Sequence, residues 1–246
     1  MAEATAAGPV LVHFFDFAQL NAARTLPYLR AWHRRYAPIG LSVLGAHSPR
    51  FAFTGERATL AAGLASLELP YSVADDSGYG LWHDYGCRGW PSLFLWAQGG
   101  TLRWVHFGEG EYRATEEAIQ EELAALDPLR ELPQPLPPVR QTDAPGALVS
   151  PPTPESFPGG SPARPWAPVA GDEPLSLDYA AGGAFATLDG DGELEVAIDG
   201  AKRTLGVDAP GLRELASHPR HESHHLALRP SPGVRVWSVS FAAGLP

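Results

Sequence analysis

The sequence predicts two domains of different class: an α/β domain over residues 8–127, with a central mixed sheet flanked by helices, and a small all-β jelly-roll or sandwich domain over residues 175–246. Three observations predict it. Strand-like and helix-like patterns alternate through the first half, prolines crowd residues 128–174, and short alternating apolar runs separated by Asp-Gly and Pro-Gly turns fill the last seventy residues.

The elements follow in order. Residues 10–15 form an apolar run that reads as a buried strand, and Leu20, Leu26, Leu29, Trp32 and Tyr36 broadly share one helical face. Pro27 falls inside that helix and is expected to kink it. Gly40 breaks the pattern, and residues 41–46 read as a second buried strand, so that strand, helix and strand imply a right-handed parallel crossover. Leu60, Leu64 and Leu67 mark a helix within 55–68, stopped by Pro70, and residues 71–74 are short and strand-like. Residues 92–96 and 102–107 flank Ala97-Gln98-Gly99-Gly100, a hairpin signal. Ile119, Leu123 and Leu126 place the closing helix over 114–126, opened by Thr115-Glu116-Glu117.

More than half of the chain's 25 prolines fall between residues 128 and 174, which predicts a semi-rigid, extended linker, partly docked. Beyond it, the runs 185–188, 194–198, 225–228 and 234–241 are spaced as short strands of a sandwich. Seventy residues are few for such a core, so the linker or the first domain is expected to complete it.

Composition narrows the function classes. The 246 residues are 44% hydrophobic with seven tryptophans, which is a globular composition. The net charge of -10 divides into about -5 on either side of residue 127, so neither part is a basic nucleic-acid module. No apolar stretch is long enough to span a bilayer, and residues 1–8 lack a signal core, so a soluble, cytoplasmic protein with no membrane partner is expected. All but one of the basic residues are arginine, and Ala, Gly and Pro are abundant, so single Gly and Pro breaks carry less weight. Cys87 is the single cysteine, which excludes an internal disulfide and a cysteine-built zinc site.

Four ordered motifs over about a hundred residues carry a resemblance. Arg24-Thr25-Leu26-Pro27-Tyr28-Leu29 follows the helix start; residues 45–53 read Gly-Ala-His-Ser-Pro-Arg-Phe-Ala-Phe; Trp90-Pro91 and Phe107-Gly108-Glu109-Gly110-Glu111-Tyr112 come later. Together they resemble the TlpA/DipZ-like redoxins of the thioredoxin superfamily. The resemblance implies a thioredoxin-like fold for the first domain, with Pro91 at the cis-proline position, and a carbohydrate-binding-module-like domain after it. Residues 153–159 resemble a Pro-Glu-x-Tyr-Leu-Gly element of the same family. Where that family carries Cys-x-x-Cys, this sequence reads Gln19-Leu20-Asn21-Ala22.

A dithiol site works because a helix N-terminus lowers the pKa of one thiol while the second resolves the mixed disulfide. Gln19 and Ala22 can do neither. The leading expectation is therefore a redox-inactive protein that binds a protein, peptide or small ligand, needs no cofactor, and keeps a vestigial groove of Gln19, Leu20, Asn21, Ala22, His47, Trp90, Pro91, Glu109 and Glu111. That groove is either filled by its own side chains or open to an anionic or carbonyl ligand at the helix N-terminus. One alternative is a thiol-dependent redoxin, peroxidase or oxidoreductase, using Cys87 alone, whose neighbour Arg88 would favour thiolate; the other is sugar binding through the C-terminal sandwich, with Trp166, Tyr179, Phe185 and Trp237 as an aromatic platform. His47 with Glu109 and Glu111 invites an acid–base reading, against which stands a structural role for all three. His218, His221, His224 and His225 cluster within eight residues, but without a metal-site motif they read as a solvated loop leading into a strand, and no metal is expected. Asp189-Gly190-Asp191-Gly192-Glu193 lacks the distal glutamate of a calcium loop and reads as a tight hairpin.

Overall fold

The computed structural model describes residues 3–169 and 172–246; residues 1–2 and 170–171 lie outside it, the second pair within the proline-rich segment. Packing divides the chain into two units. The first holds the chain up to Asp16, Asn21–Pro49 and Leu64–Pro145; the second holds Phe17–Leu20, Arg50–Gly63 and Gly146–Pro246.

In the first unit, β1 (Val10–Phe15), β2 (Ser42–His47), β3 (Val73–Asp75), β4 (Ser92–Trp96) and β5 (Leu102–Phe107) form one sheet in the order β3-β2-β1-β4-β5. β1 runs parallel to β2 and antiparallel to β4, which makes the sheet mixed. All six β1 residues are buried, as a central strand covered on both faces requires. Alternation sends Leu11 to one face, where it joins Leu26, Leu29, Trp32 and Tyr36 of α1 (Leu20–Tyr36) and Ile119 and Leu123 of α4 (Tyr112–Leu126). It sends Val10, Val12 and Phe14 to the other face, against Trp82 and Tyr85 of α3 (Gly80–Tyr85). At Gly45 a Cβ would come within 2.9 Å of Val73 and 3.2 Å of Phe15, so close strand packing explains the glycine.

Two features differ from the sequence reading. α3 is a six-residue helix too short to show periodicity. α4 begins at Tyr112, two residues earlier than expected, so Thr115 and Glu116 are buried within it and do not open it. Residues 128–145 pack with the first unit: Leu132 and Leu136 join its core, and the Leu136 N–H donates to Glu116 at 2.8 Å.

The second unit is all antiparallel. β6 (Leu175–Asp189), β7 (Gly192–Ile198), β8 (Ala201–Val207), β9 (Gly211–Pro230) and β10 (Arg235–Ala242) hydrogen-bond in the order β10-β6-β9-β7-β8. The strands are longer than the short runs expected, and the β6–β9 register shifts twice, between Ala181 and Gly183 and between Ala184 and Phe185. Such bulges bend long strands, and side chains of β6, β7, β9 and β10 close on one core, as in a small β sandwich. Asp199-Gly200 makes the tight β7–β8 hairpin, both residues at positive φ, whereas Asp189–Gly192 links β6 to β7, which do not pair: the expected hairpin there is a connection across β9. Its first carboxylate, Asp189, instead accepts from Arg235 Nε at 2.8 Å. Residues 146–169 lie along this unit, with Ser156 bridged to Val239 and Trp166 to Val236.

Phe17–Leu20 and Arg50–Gly63 share this second unit's packing. Phe53 lies 6.2 Å from Phe17 and 4.8 Å from Trp237, ring centroid to ring centroid, and Gly63 leaves room for the Phe17 ring, which a Cβ would meet at 2.7 Å. Among the described residues no helix is long and apolar enough to cross a membrane.

Candidate functional site

The start of α1 is where dithiol chemistry would have to sit. Gln19 and Leu20 are buried and Ala22 is wholly enclosed, so position 22 offers a methyl group and position 19 a covered amide. Just before them, the Ala18 carbonyl accepts a buried hydrogen bond of 2.8 Å from Thr187 Oγ1 on β6. Asn21 is partly exposed, and its carbonyl takes the Thr25 hydroxyl at 2.9 Å. The segment is occupied as structure.

His47 closes β2 and is fully buried. Its Nε2 lies 3.9 Å from Asp16 Oδ1, itself fully buried, and burial holds the imidazole below its ordinary pKa against the pull of Asp16. Next to it, Ser48 donates to Asp76 Oδ2 at 2.7 Å, and Asp76 receives the N–H groups of Leu81 and Trp82 at 2.9 and 3.0 Å, capping the start of α3. The Ser48 carbonyl accepts from Trp90 Nε1 at 2.7 Å, which ties the Trp90–Pro91 peptide, a cis bond, to the end of β2. The structure thus gathers His47, Asp16, Ser48, Asp76 and Trp90.

The glutamates go elsewhere. Glu109 is held by Arg24 at 2.5 Å and faces Arg140 at 3.6 Å, while Asp143 accepts from Arg140 and from Tyr28, whose ring stacks on Tyr112 at 3.8 Å. This network fastens the 136–145 stretch to α1 and α4, a structural task. Glu111 is exposed at the N-terminus of α4, with φ of 49°.

Cys87 is half-buried, and burial pushes its thiol up to about 12. Arg88, expected to favour thiolate, lies over the Phe107 ring at 5.7 Å. A thiol held that far up is protonated at pH 7, and the thiolate is the nucleophile. Near it, Trp82 and Trp90 stack at 4.3 Å, and Leu81 and Phe107 are exposed.

No protein-family model matches the chain. It is 29% identical over 270 residues to the protein DipZ of Mycobacterium bovis, an alignment covering 94% of this chain and 38% of that protein. Over nearly its whole length the chain is similar to the DipZ proteins. It spans 38% of the length of these DipZ proteins, and it carries one cysteine. Over 102 residues it is 26% identical to NHL repeat-containing protein 2 of Gallus gallus, covering 41% of this chain and 14% of that one. Among solved structures, a thiol-disulfide isomerase from Corynebacterium glutamicum aligns at 21% identity and a TM-score of 0.44, covering 50% of this chain and 86% of that one.

In the second unit, the histidines expected in a solvated loop lie within β9. His225 faces out, its Nδ1 2.7 Å from Asp178 and its Nε2 3.0 Å from Ser176 Oγ. That is the connectivity of a Ser–His–Asp triad, but Asp178 and His225 are open to solvent, where water screens the pair, and the array reads as surface hydrogen bonding. His224 Nδ1 lies 2.6 Å from Asp199, and the His224 ring stacks on His218 at 3.8 Å. Of the expected aromatic platform, Tyr179 and Trp237 are buried, while Trp166 packs against the core and Phe185 is partly buried. A bulge in β9 and a hairpin tip on β7–β8 created the histidine grouping, and only the density of histidines in the sequence signalled it.

Proposed function

We propose that this chain is a redox-inactive redoxin homologue that works by binding a protein, peptide or small ligand and not by thiol–disulfide exchange. One observation carries the reading: Gln19 and Ala22 stand at the dithiol positions and both are buried, so the site lacks thiols and access together. The raised pKa of Cys87 supports it, because a nucleophilic thiol needs an electropositive, accessible setting. For the ligand, the α/β unit offers the partly buried Trp82–Trp90 stack beside exposed Leu81 and Phe107, with Arg88 at hand: aromatic and cationic groups suited to an extended peptide or an aromatic ligand.

Insulin-disulfide reduction with dithiothreitol as electron source tests the first half. The expected result is no acceleration over the uncatalysed reaction, in wild type and in Cys87→Ser alike. Turnover that disappears in Cys87→Ser would instead establish single-cysteine chemistry. Turnover that persists there would sink both readings.

A further inference from the structure

Outside the redoxin remnant, the second unit brings three potential metal ligands together, and we propose that His218, Glu222 and His224 form a Zn²⁺ site. One ring nitrogen of each histidine and one carboxylate oxygen of Glu222 lie within 4.8 Å of one another. They belong to a single strand, and a strand cannot ordinarily gather residues four and six apart on one point. The β9 bulge makes it possible: Ala181 faces Glu222 and Gly183 faces Ser217, so four residues of β9 stand against Gly182 alone. The His221 N–H donates to the Leu245 carbonyl at 2.7 Å, which pins the bulge, and His218 is thereby folded back over His224.

The supporting contacts are those a metal-binding histidine has. Asp199 Oδ2 lies 2.6 Å from His224 Nδ1 and Asp199 Oδ1 accepts the His225 N–H at 2.8 Å, so the carboxylate is fixed by two bonds. A carboxylate on Nδ1 keeps the proton there and leaves the Nε2 lone pair free. That Nε2 is enclosed, has no hydrogen-bond partner, and lies 3.6 Å from Glu222 Oε2. Tetrahedral zinc with bonds of about 2.0–2.1 Å sets its ligand atoms about 3.3–3.4 Å apart, so this pair is nearly in place. His218 Nε2 is steadied by the Tyr179 hydroxyl at 2.8 Å. The rings stack face to face, with 15° between their planes, so the metal must splay them to reach two in-plane lone pairs, and the half-exposed Glu222 is free to swing in. Two imidazoles and one carboxylate suit zinc, leave a fourth position for water, and suit magnesium or calcium poorly.

Isothermal titration of the untagged full chain with ZnCl₂ tests the site. The expected result is one ion per chain, bound below about 10 µM free metal, with no response to MgCl₂ or CaCl₂. Glu222→Gln and His224→Ala each weaken binding at least tenfold, Asp199→Asn weakens it about 10–100-fold, and His225→Ala leaves it unchanged. Should His224→Ala fail to fold, the half-exposed Glu222→Gln and the histidine ring resonances of wild type decide: zinc shifts those of His218 and His224. Absent binding, affinity untouched in Glu222→Gln, or resonance shifts confined to other histidines would overturn the proposal.

Discussion

Two histidine–aspartate pairs, one in each unit, show how the same chemistry acquires opposite meanings. His47 and Asp16 of the α/β unit are both fully buried at 3.9 Å, whereas His225 and Asp178 of the β unit are 52% and 88% exposed at 2.7 Å. The better geometry belongs to the pair that water screens. Burial therefore decides the worth of the interaction: in the first unit polar groups are locked into the packing, and in the second they stay available. The largest expected effect follows from the buried pair. Asp16→Ala removes a fully buried carboxylate from beside the uncharged His47 imidazole and is expected to lower unfolding free energy by about 3 kcal/mol in urea titration, the upper end for a buried polar group deprived of its partner. A loss under about 1 kcal/mol would mean that burial does not separate the two pairs.

The second expected effect adds pH to the comparison. His13 on β1 is fully buried, stacked on Phe15 at 4.7 Å, and desolvation lowers its pKa to about 3. The unfolded chain takes up a proton near 6.5 and the folded one only near 3, so stability falls as pH drops through that window and is flat above it. His13→Phe keeps a ring on the stack and removes the titration. Relative to the gap at pH 8, the variant should gain about 2 kcal/mol over wild type at pH 5, at about 1.4 kcal/mol per pH unit. Parallel urea midpoints at the two pH values would show that His13 titrates normally in the fold.

How much of this was legible in the sequence depends on how local the cause is. β1, β2, β4, β5 and α1 announce themselves through apolar runs and one helical face, because each buries its own pattern. α3 does not, since six residues carry no period and its start is set by Asp76, upstream of the helix. β8 stayed hidden as a mostly exposed edge strand with no apolar side to alternate. For the site, the absence of cysteines at 19 and 22 was readable from the resemblance alone. Their burial was not, and neither was the hydrogen bond that the preceding Ala18 carbonyl accepts from Thr187, 169 residues away. The grouping of His218 with His224 was equally out of reach, as it depends on a bulge that no periodicity encodes.

Thr187 offers a smaller test, expected to cost about 1 kcal/mol. Thr187→Val preserves shape and removes the donor to the Ala18 carbonyl, leaving a buried acceptor without that partner. If the α1 start is held as structure, urea stability falls by that amount while Gln19→Cys/Ala22→Cys in the same background reacts with a thiol reagent faster than the double cysteine variant alone. Equal labelling rates would mean that this bond does not govern access to positions 19 and 22.

The smallest expected effect closes the comparison with the exposed pair. Asp178→Asn retains an acceptor oxygen for His225, deletes the charge, and does so where water already solvates both partners. A solvated pair gains little from Coulomb attraction and gives up side-chain freedom to form, so the melting temperature should stay where it was. Repeating the measurement at about 0.5 M salt, where the Debye length is roughly 4–5 Å, should leave wild type and variant still superimposed. A drop comparable to that of Asp16→Ala would show that a short distance, and not burial, sets the value of a histidine–aspartate contact in this protein.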